Sequence, residues 1–541
     1  MFSRSYTARE QKPGQRVSPL ADAYRPEVME TEPITQEPRE GVALARGATL
    51  DGLNAEAVEV EVRLLRGILG VVKILGLRET EAKESRERVR SAIRAVQLDF
   101  PERSMLLNLA PAECRKQGPG LDLALVAGIL AVTGQVPAAA AERVLCWGEV
   151  SLDGRVRPVR GALPVALLAR RLGVRHLIVP AESAREVSRV QHLSALPIRD
   201  VRELHEVLHG ELPAVCAPVD PPREAVSGSS VWDSIVGQDD AKTAVTASAV
   251  GGHHLLLTGP PGTGKSMLAR GLAGLLPDLD EASALEVSCI HSAAGLAPRL
   301  DTCRPPLRAP HCSVTVAGMA GGGASPRPGE MTLAHHGLLF LDELPQFRRE
   351  VHDLLRAPLE DGCVLLSRAG RSVRYPSRFL LVAAMNPCPC GYAGEVAAAC
   401  SCSAAQILRY RSKLSGPVLD RIDLTVHVPF VPAELRRSSP PGLQSKVVRD
   451  RVAELRTQQM ARNGGVPNAL IPADRLGEIA ALEQSAEDWL ATRIDRLRLS
   501  VRAHHRLLRV ARSFADLRDA EQVGRPDLAR ALRLRDTTRD G

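Results

Sequence analysis

A chain of 541 residues is too long for one hydrophobic core and calls for several compact units. Hydrophobic residues at 44% and charged residues at 25% exclude a disordered chain, and no apolar run approaches the roughly 20 residues of a membrane span. The excess of 70 basic over 63 acidic residues permits a polyanionic partner without demanding one, and aromatics at 3% mean that a hold on nucleic acid would rest on Arg, Lys and backbone amides more than on stacked rings.

The opening, MFSRSYTAREQKPGQ, has no apolar signal core, which predicts a cytoplasmic protein. Residues 1–41 are polar, Pro-rich and charged in both signs without a period of 2 or 3.6, as expected of a flexible leader. From Val42 the character changes. A strand is predicted over 58–65, an amphipathic helix over 79–96, a strand over 105–111, a buried helix over 121–134, a strand over 176–180 and a last helix over 201–208. These define an α/β domain, 42–210. Residues 211–230 are rich in Pro and Ser and read as a linker. A second α/β domain, 231–432, alternates the strands HLLLTG, GLLFLDE and FLLVAAMN with helices, which implies a mainly parallel sheet. Past the Pro-rich break VPAELRRSSPPGLQSK (431–446), the tail to residue 541 is helical in period.

The strongest motif is GPPGTGKS, from Gly259 through Pro260, Pro261, Gly262, Thr263 and Gly264 to Lys265 and Ser266, placed between a strand and a helix. Its glycines let backbone N–H groups close around phosphate oxygens, and the helix N-terminus adds a positive dipole end. Lys265 is then expected to neutralise the β and γ phosphates of ATP, and Ser266 to coordinate Mg²⁺. Some 75 residues on, the strand LLFLDE (338–343) ends in Asp342, expected to bind Mg²⁺ through water, and Glu343, expected to orient the attacking water.

Between that strand and FLLVAAMN, the stretch CVLLSRAGRSVRYPSRF reads as a β-hairpin with Arg368 and Arg371 at the tip and Arg374 on the return strand. Such a tip either tracks phosphates or is merely solvated. The Gly-rich AGMAGGGASPRPGE (317–330) suits a mobile pore loop or a flexible connection. Cys388, Cys390, Cys400 and Cys402 form C-x-C-x₉-C-x-C, which favours a structural Zn²⁺ site over free or redox-active thiols.

Residues 231–430 resemble the magnesium chelatase-like branch of the AAA+ ATPases, and the chain from residue 42 onward resembles the ComM/YifB family. KESRERVRSAIR, NLAPAECRKQGPGLDLAL, PRPGEMTLAHHGLLFLDELP, AAMNPCPCGY and LSGPVLDRIDL carry the likeness. It implies that Asn386 is the polar sensor near the γ-phosphate, Arg421 an arginine finger reaching a neighbouring subunit, and Arg502 a second sensor on a C-terminal helical lid, 433–541. A finger supplied in trans implies a ring, a hexamer. The hairpin is placed before the first sensor, facing the pore. The N-terminal domain resembles the Lon protease catalytic domain, but Gly120 stands where the nucleophilic serine is expected, and residues 154–173 hold no lysine to serve as base. The resemblance implies an ATP-driven motor on DNA, a helicase promoting branch migration while incoming DNA recombines in natural transformation. The alternative is a magnesium chelatase-type ATPase that remodels a protein partner.

Overall fold

The computed structural model describes residues 41–535 apart from 115, 117, 211–230, 297–302, 324–326, 369–370, 396–398, 415, 432–443 and 498. The leader, the linker and most of the break at 431–446 therefore lie outside the described residues. Two compact units emerge, broadly residues up to 217 and residues from 218.

The first unit is built on a seven-stranded sheet. Its strands are β1 (Val42–Asp51), β2 (Asn54–Leu69), β3 (Val72–Leu75), β4 (Arg103–Ala110), β5 (Val144–Cys146), β6 (His176–Pro180) and β7 (Ser194–Ile198), in the order β3-β4-β2-β1-β5-β6-β7. Helices α1 (Glu79–Ala95), α2 (Asp122–Val132), α3 (Ala162–Arg171) and α4 (Val201–His209) agree with the sequence expectation to within two residues where one was made. Helix α2 is buried from Asp122 to Ala131, which explains why DLALVAGILAV has no polar face. Its one charge is compensated: Arg88 of α1 donates from Nε to Asp122 Oδ2 at 2.7 Å and from Nη2 to Oδ1 at 3.1 Å. Burial nonetheless pushes the Asp122 carboxyl up to about 6. Just before α2, a Cβ built on Gly120 would lie 2.3 Å from the Trp147 ring. The position at which the Lon nucleophile is expected is thus filled by an indole, and a serine would fit only by displacing it.

The second unit carries a five-stranded, all-parallel sheet made of β8 (Leu255–Thr258), β9 (Leu307–Arg308), β10 (Leu338–Leu341), β13 (Leu380–Met385) and β14 (Leu424–His427), in the order β9-β10-β13-β8-β14. Strands β11 (Cys363–Arg368) and β12 (Arg371–Pro376) form a separate antiparallel hairpin. Because helices cover both faces, β10 and β13 are buried at every position and read as unbroken apolar runs. Helices α5 (Asp239–Gly251), α6 (Lys265–Leu275) and α7 (Glu281–Ala294) serve this sheet, and α8 (Ala404–Arg411) follows the cysteine segment. The tail forms α9 (Ser445–Asn463), α10 (Gln484–Leu497), α11 (Val501–Leu517) and α12 (Arg525–Arg533). The tail shares one apolar core with the sheet: Val452, Leu507 and Phe514 belong to the same cluster as Val245, Leu257 and Leu272.

The entry to β10 is held by a buried polar triad. The backbone N–H of Arg378 donates to His335 Nδ1 at 3.0 Å, so the neutral ring carries its proton on Nε2 and donates to Glu286 Oε2 of α7 at 3.3 Å; His336 Nε2 faces the same oxygen at 2.8 Å. Burial drives the His335 pKa down to about 4, outweighing the pull of Glu286. Burial would raise Glu286, but its bonds to both histidines hold the carboxylate below its usual range. Both groups make the unfolded chain bind more protons than the folded one in acid. Stability should be fully present above the ordinary histidine pKa of about 6.5 and fall progressively toward pH 4, by up to ~3 kcal/mol for His335 alone. Denaturant unfolding measured between pH 7 and pH 4.5 should show this slope, and His335→Gln should flatten it. An unchanged slope in that variant would assign the acid sensitivity elsewhere.

In the Gly-rich stretch 317–330, residues 324–326 lie outside the described residues, and the segments flanking them pack closely. A Cβ on Gly321 would lie 2.3 Å from Arg327 O, and one on Gly329 would lie 2.2 Å from Gly321 N. Those glycines admit a backbone-on-backbone approach between the paired segments Gly321–Gly322 and Arg327–Pro328.

Candidate nucleotide site

The loop from β8 to α6 is shaped by its glycines. A Cβ on Gly259 would come within 2.3 Å of Val428 O beyond the end of β14, so only glycine lets the loop leave there. Gly262 (φ 76°) and Gly264 (φ 93°) sit in open space, and what they supply is the left-handed backbone. Gly264 is the N-cap of α6, so the first amides of that helix face the loop. Parallel register brings the strand ends level, with Thr258 beside Met385 and Leu341 beside Ala383. The residue types that follow each strand therefore meet at one carboxyl edge.

There, Lys265 Nζ donates to Gly259 O at 2.8 Å, Pro260 O at 2.7 Å and Asn386 Oδ1 at 3.1 Å. Burial lowers the Lys265 pKa, against the opposing pull of Asp342 and Glu343. Ser266 Oγ donates to Asp342 Oδ2 at 2.7 Å, and the backbone N–H of Glu343 donates to Asp342 Oδ1 at 3.0 Å. Glu343 is exposed and holds a left-handed backbone (φ 54°), an unusual conformation for a residue with a side chain. The structure thus forms two hydrogen-bonded pairs at this edge, Lys265 with Asn386 and Ser266 with Asp342, and Lys265 lies in the field of Asp342.

Two further residues of the site carry no motif. Gln238, itself at φ 61°, donates from Nε2 to Pro429 O at 2.7 Å and to Thr263 O at 3.5 Å, and so braces the phosphate loop from outside. Tyr410 of α8 lies beside the backbone of Asn386 and in the field of Glu343; burial raises its phenol pKa. A polar residue after Val-Gly and a tyrosine in an Arg-rich helix offer no sequence signal, since only the fold brings them here.

Arg421 and Arg502 converge on a different point. Arg421 Nη2 lies 2.5 Å from Glu360 Oε1 and Arg502 Nη2 lies 2.7 Å from the same oxygen, while Arg421 Nη1 donates to Pro417 O at 2.5 Å. Both guanidiniums hold Glu360 below its ordinary range, Arg421 most. The hydrogen bonds and ion pairs of these two arginines among the described residues run to Glu360 and Pro417, not to the phosphate loop. The hairpin has the expected form, with Arg368 opposite Arg371 and Arg374 opposite Leu365; Arg374 is exposed, and the side chains of Arg368 and Arg371 lie outside the described residues. The sulfurs of Cys388, Cys390, Cys400 and Cys402 all lie within 4.8 Å of one another.

A parallel sheet in this strand order, with a glycine loop cradling a lysine and an acidic pair on the strand two places along, defines an AAA+ P-loop ATPase, a class that uses ATP and Mg²⁺. The magnesium chelatase subunit ChlI family model matches residues 231–435, a second ChlI model matches 60–183, and the ChlI C-terminal model matches 442–535. The competence protein ComM of Haemophilus influenzae is 39% identical over 90% of this chain and 95% of its own length, and YifB of Escherichia coli is 40% identical over 90% and 95%. The chain belongs to the ComM/YifB family of magnesium chelatase-like AAA+ ATPases. The magnesium-chelatase 38 kDa subunit of Rhodobacter capsulatus is a more distant relative, 29% identical over 56% of this chain and 85% of its own. Among the described residues, no helix is long and apolar enough to cross a membrane.

Proposed function

We propose that the protein is a ring-forming, ATP-driven motor on DNA, a helicase that promotes branch migration during recombination of incoming DNA. The observation that carries this reading is the half-finished site: one chain gathers Lys265, Ser266, Asp342 and Asn386, while its two candidate transition-state cations stand together on Glu360.

In this reading, the carbonyls of Gly259 and Pro260 hold the Lys265 ammonium where phosphate oxygens replace them on binding. Ser266 Oγ and the Asp342 carboxylate, 2.7 Å apart, are a pair of hard oxygen donors suited to Mg²⁺, which when bound neutralises charge on the β and γ phosphates. Glu343, exposed beside that pair, accepts a hydrogen bond from the attacking water and aims it. Asn386 donates its side-chain N–H to the γ-phosphate side, its Oδ1 already being engaged by Lys265. Arg421 leaves Glu360 for the γ-phosphate of the adjoining subunit, so each subunit completes its neighbour's site and a hexameric ring follows, while Arg502 leaves Glu360 to act as the second sensor of the helical lid. The hairpin bearing Arg368, Arg371 and Arg374 meets the DNA backbone without reading sequence.

The name of the competence relative supports DNA as the track. The 29% identity to a magnesium-chelatase subunit supports a second reading, a ring that remodels a protein partner. ATP turnover with and without single-stranded DNA separates the two: several-fold stimulation is expected, and it should shrink in Arg374→Ala. Equal rates with and without DNA, together with no migration of three- or four-stranded junctions, would favour the chelatase-type reading.

A further inference from the structure

The turn that links Asn386 to α8 is made by the four cysteines. Their Sγ separations are 3.3 Å for Cys388–Cys390, 3.5 Å for Cys390–Cys400 and 3.7 Å for Cys388–Cys400, with Cys402 in the same cluster. A disulfide would bring one pair to about 2.05 Å, and none is near that. A tetrahedral ion with Zn–S bonds of ~2.3 Å sets its sulfurs ~3.8 Å apart, and the three separations of 3.3, 3.5 and 3.7 Å lie within half an ångström of that. Iron–sulfur clusters spread their thiolates over different irons and hold them farther apart, so the cluster fits a single ion. Backbone amides already face two of the sulfurs, Ala393 N donating to Cys388 at 3.3 Å and Cys402 N to Cys400 at 3.4 Å, the outer support that thiolate ligands need.

The geometry points to a structural Zn²⁺ site, held by Cys388, Cys390, Cys400 and Cys402, that fastens the Asn386 end of β13 to the phosphate loop. Four sulfurs leave no coordination position for water, so the ion is structural. What it fastens is visible in three contacts. Cys388 is buried two residues after Asn386. Gly391 packs against the phosphate loop so closely that a Cβ there would lie 2.5 Å from Pro261 Cδ. Glu395 Oε1 lies 3.0 Å from His427 Nε2 of β14. After Cys402, Ser403 caps α8 through a reciprocal bond with Gln406, and that helix brings Tyr410 near the backbone of Asn386. Among its described residues none belongs to an apolar core cluster, so this turn needs a cross-link to hold its shape.

The site goes beyond the assignment of a DNA motor, because its first readout is metal content and does not depend on what the ring acts on. Elemental analysis of the full-length protein, purified without an affinity tag that binds metal, should find about one zinc and negligible iron per chain. Mercurial titration of the thiols should release that zinc stoichiometrically. Cobalt-substituted wild-type protein should show a thiolate-to-cobalt charge-transfer band. Cys390→Ser/Cys402→Ser should lose zinc at least ~10-fold, while Cys363→Ser, outside the cluster, keeps it. With the metal gone, ATP turnover should fall more than nucleotide affinity does, since Asn386 is displaced while the glycine loop remains. Less than ~0.1 zinc per wild-type chain, iron in its place, or a wild-type mass two hydrogens short through a disulfide would each overturn the assignment. If the double variant does not fold, the wild-type zinc content and the cobalt band still decide the matter.

Discussion

Replacing Lys265 with alanine should reduce ATP turnover by at least about 10³-fold and weaken nucleotide binding together with it. The ammonium is bonded at once to two loop carbonyls and to Asn386, and its loss removes charge compensation in both ground and transition state. Glu343→Gln should behave differently. Glu343 touches Asp342 only through its backbone N–H, so the amide variant keeps the Ser266–Asp342 pair intact. Nucleotide should bind with near-normal affinity while hydrolysis falls by roughly 10²–10³-fold, the range expected for loss of a residue that accepts a proton or orients water. Equilibrium binding of a fluorescent nucleotide beside steady-state turnover distinguishes the two variants. Parallel loss of binding in both would mean that Glu343 holds the loop rather than the water.

Arg421→Ala should cost on the order of 10³-fold in turnover, as for other arginine fingers. The decisive measurement is on mixtures. Arg421→Ala subunits retain a complete Lys265 cluster, and Lys265→Ala subunits retain Arg421. Random mixing in equal amounts in a ring pairs a sound cluster with a sound finger at roughly a quarter of the interfaces, so part of the activity should return. Two inactive variants that stay inactive when mixed would place Arg421 in its own subunit's chemistry or in folding. Its near-complete burial against Pro417 and Glu360 makes the control essential: the variant must keep the wild-type unfolding transition.

The legible parts of the site are those where chemistry and local backbone coincide. GPPGTGKS requires its glycines for left-handed turns and for the close pass beside Val428, so a short string of residues specifies both shape and ligand. LLFLDE is legible because a strand buried on both faces must be apolar until it reaches the edge, where carboxylates begin. Asn386, Arg421 and Arg502 were readable only through resemblance, since an asparagine after a strand and arginines in Arg-rich helices have no local signature. Gln238, Tyr410 and Glu360 were not readable at all. Each lies more than twenty residues from what it touches, and no periodicity encodes such a meeting.

From the sequence alone came the order of α/β, ATPase and helical segments, the phosphate loop, the acidic pair and the cysteine spacing, because each follows from local backbone needs or from the apolar pattern of a buried element. Tertiary structure decided the rest: that Trp147 occupies the space beside Gly120, that the helical tail shares the ATPase core, that the cysteine turn bears on Pro261, and that Arg421 and Arg502 meet on Glu360. Those are contacts between distant segments, set by close packing and by the need to pair buried charge, and such terms act only once the chain has folded.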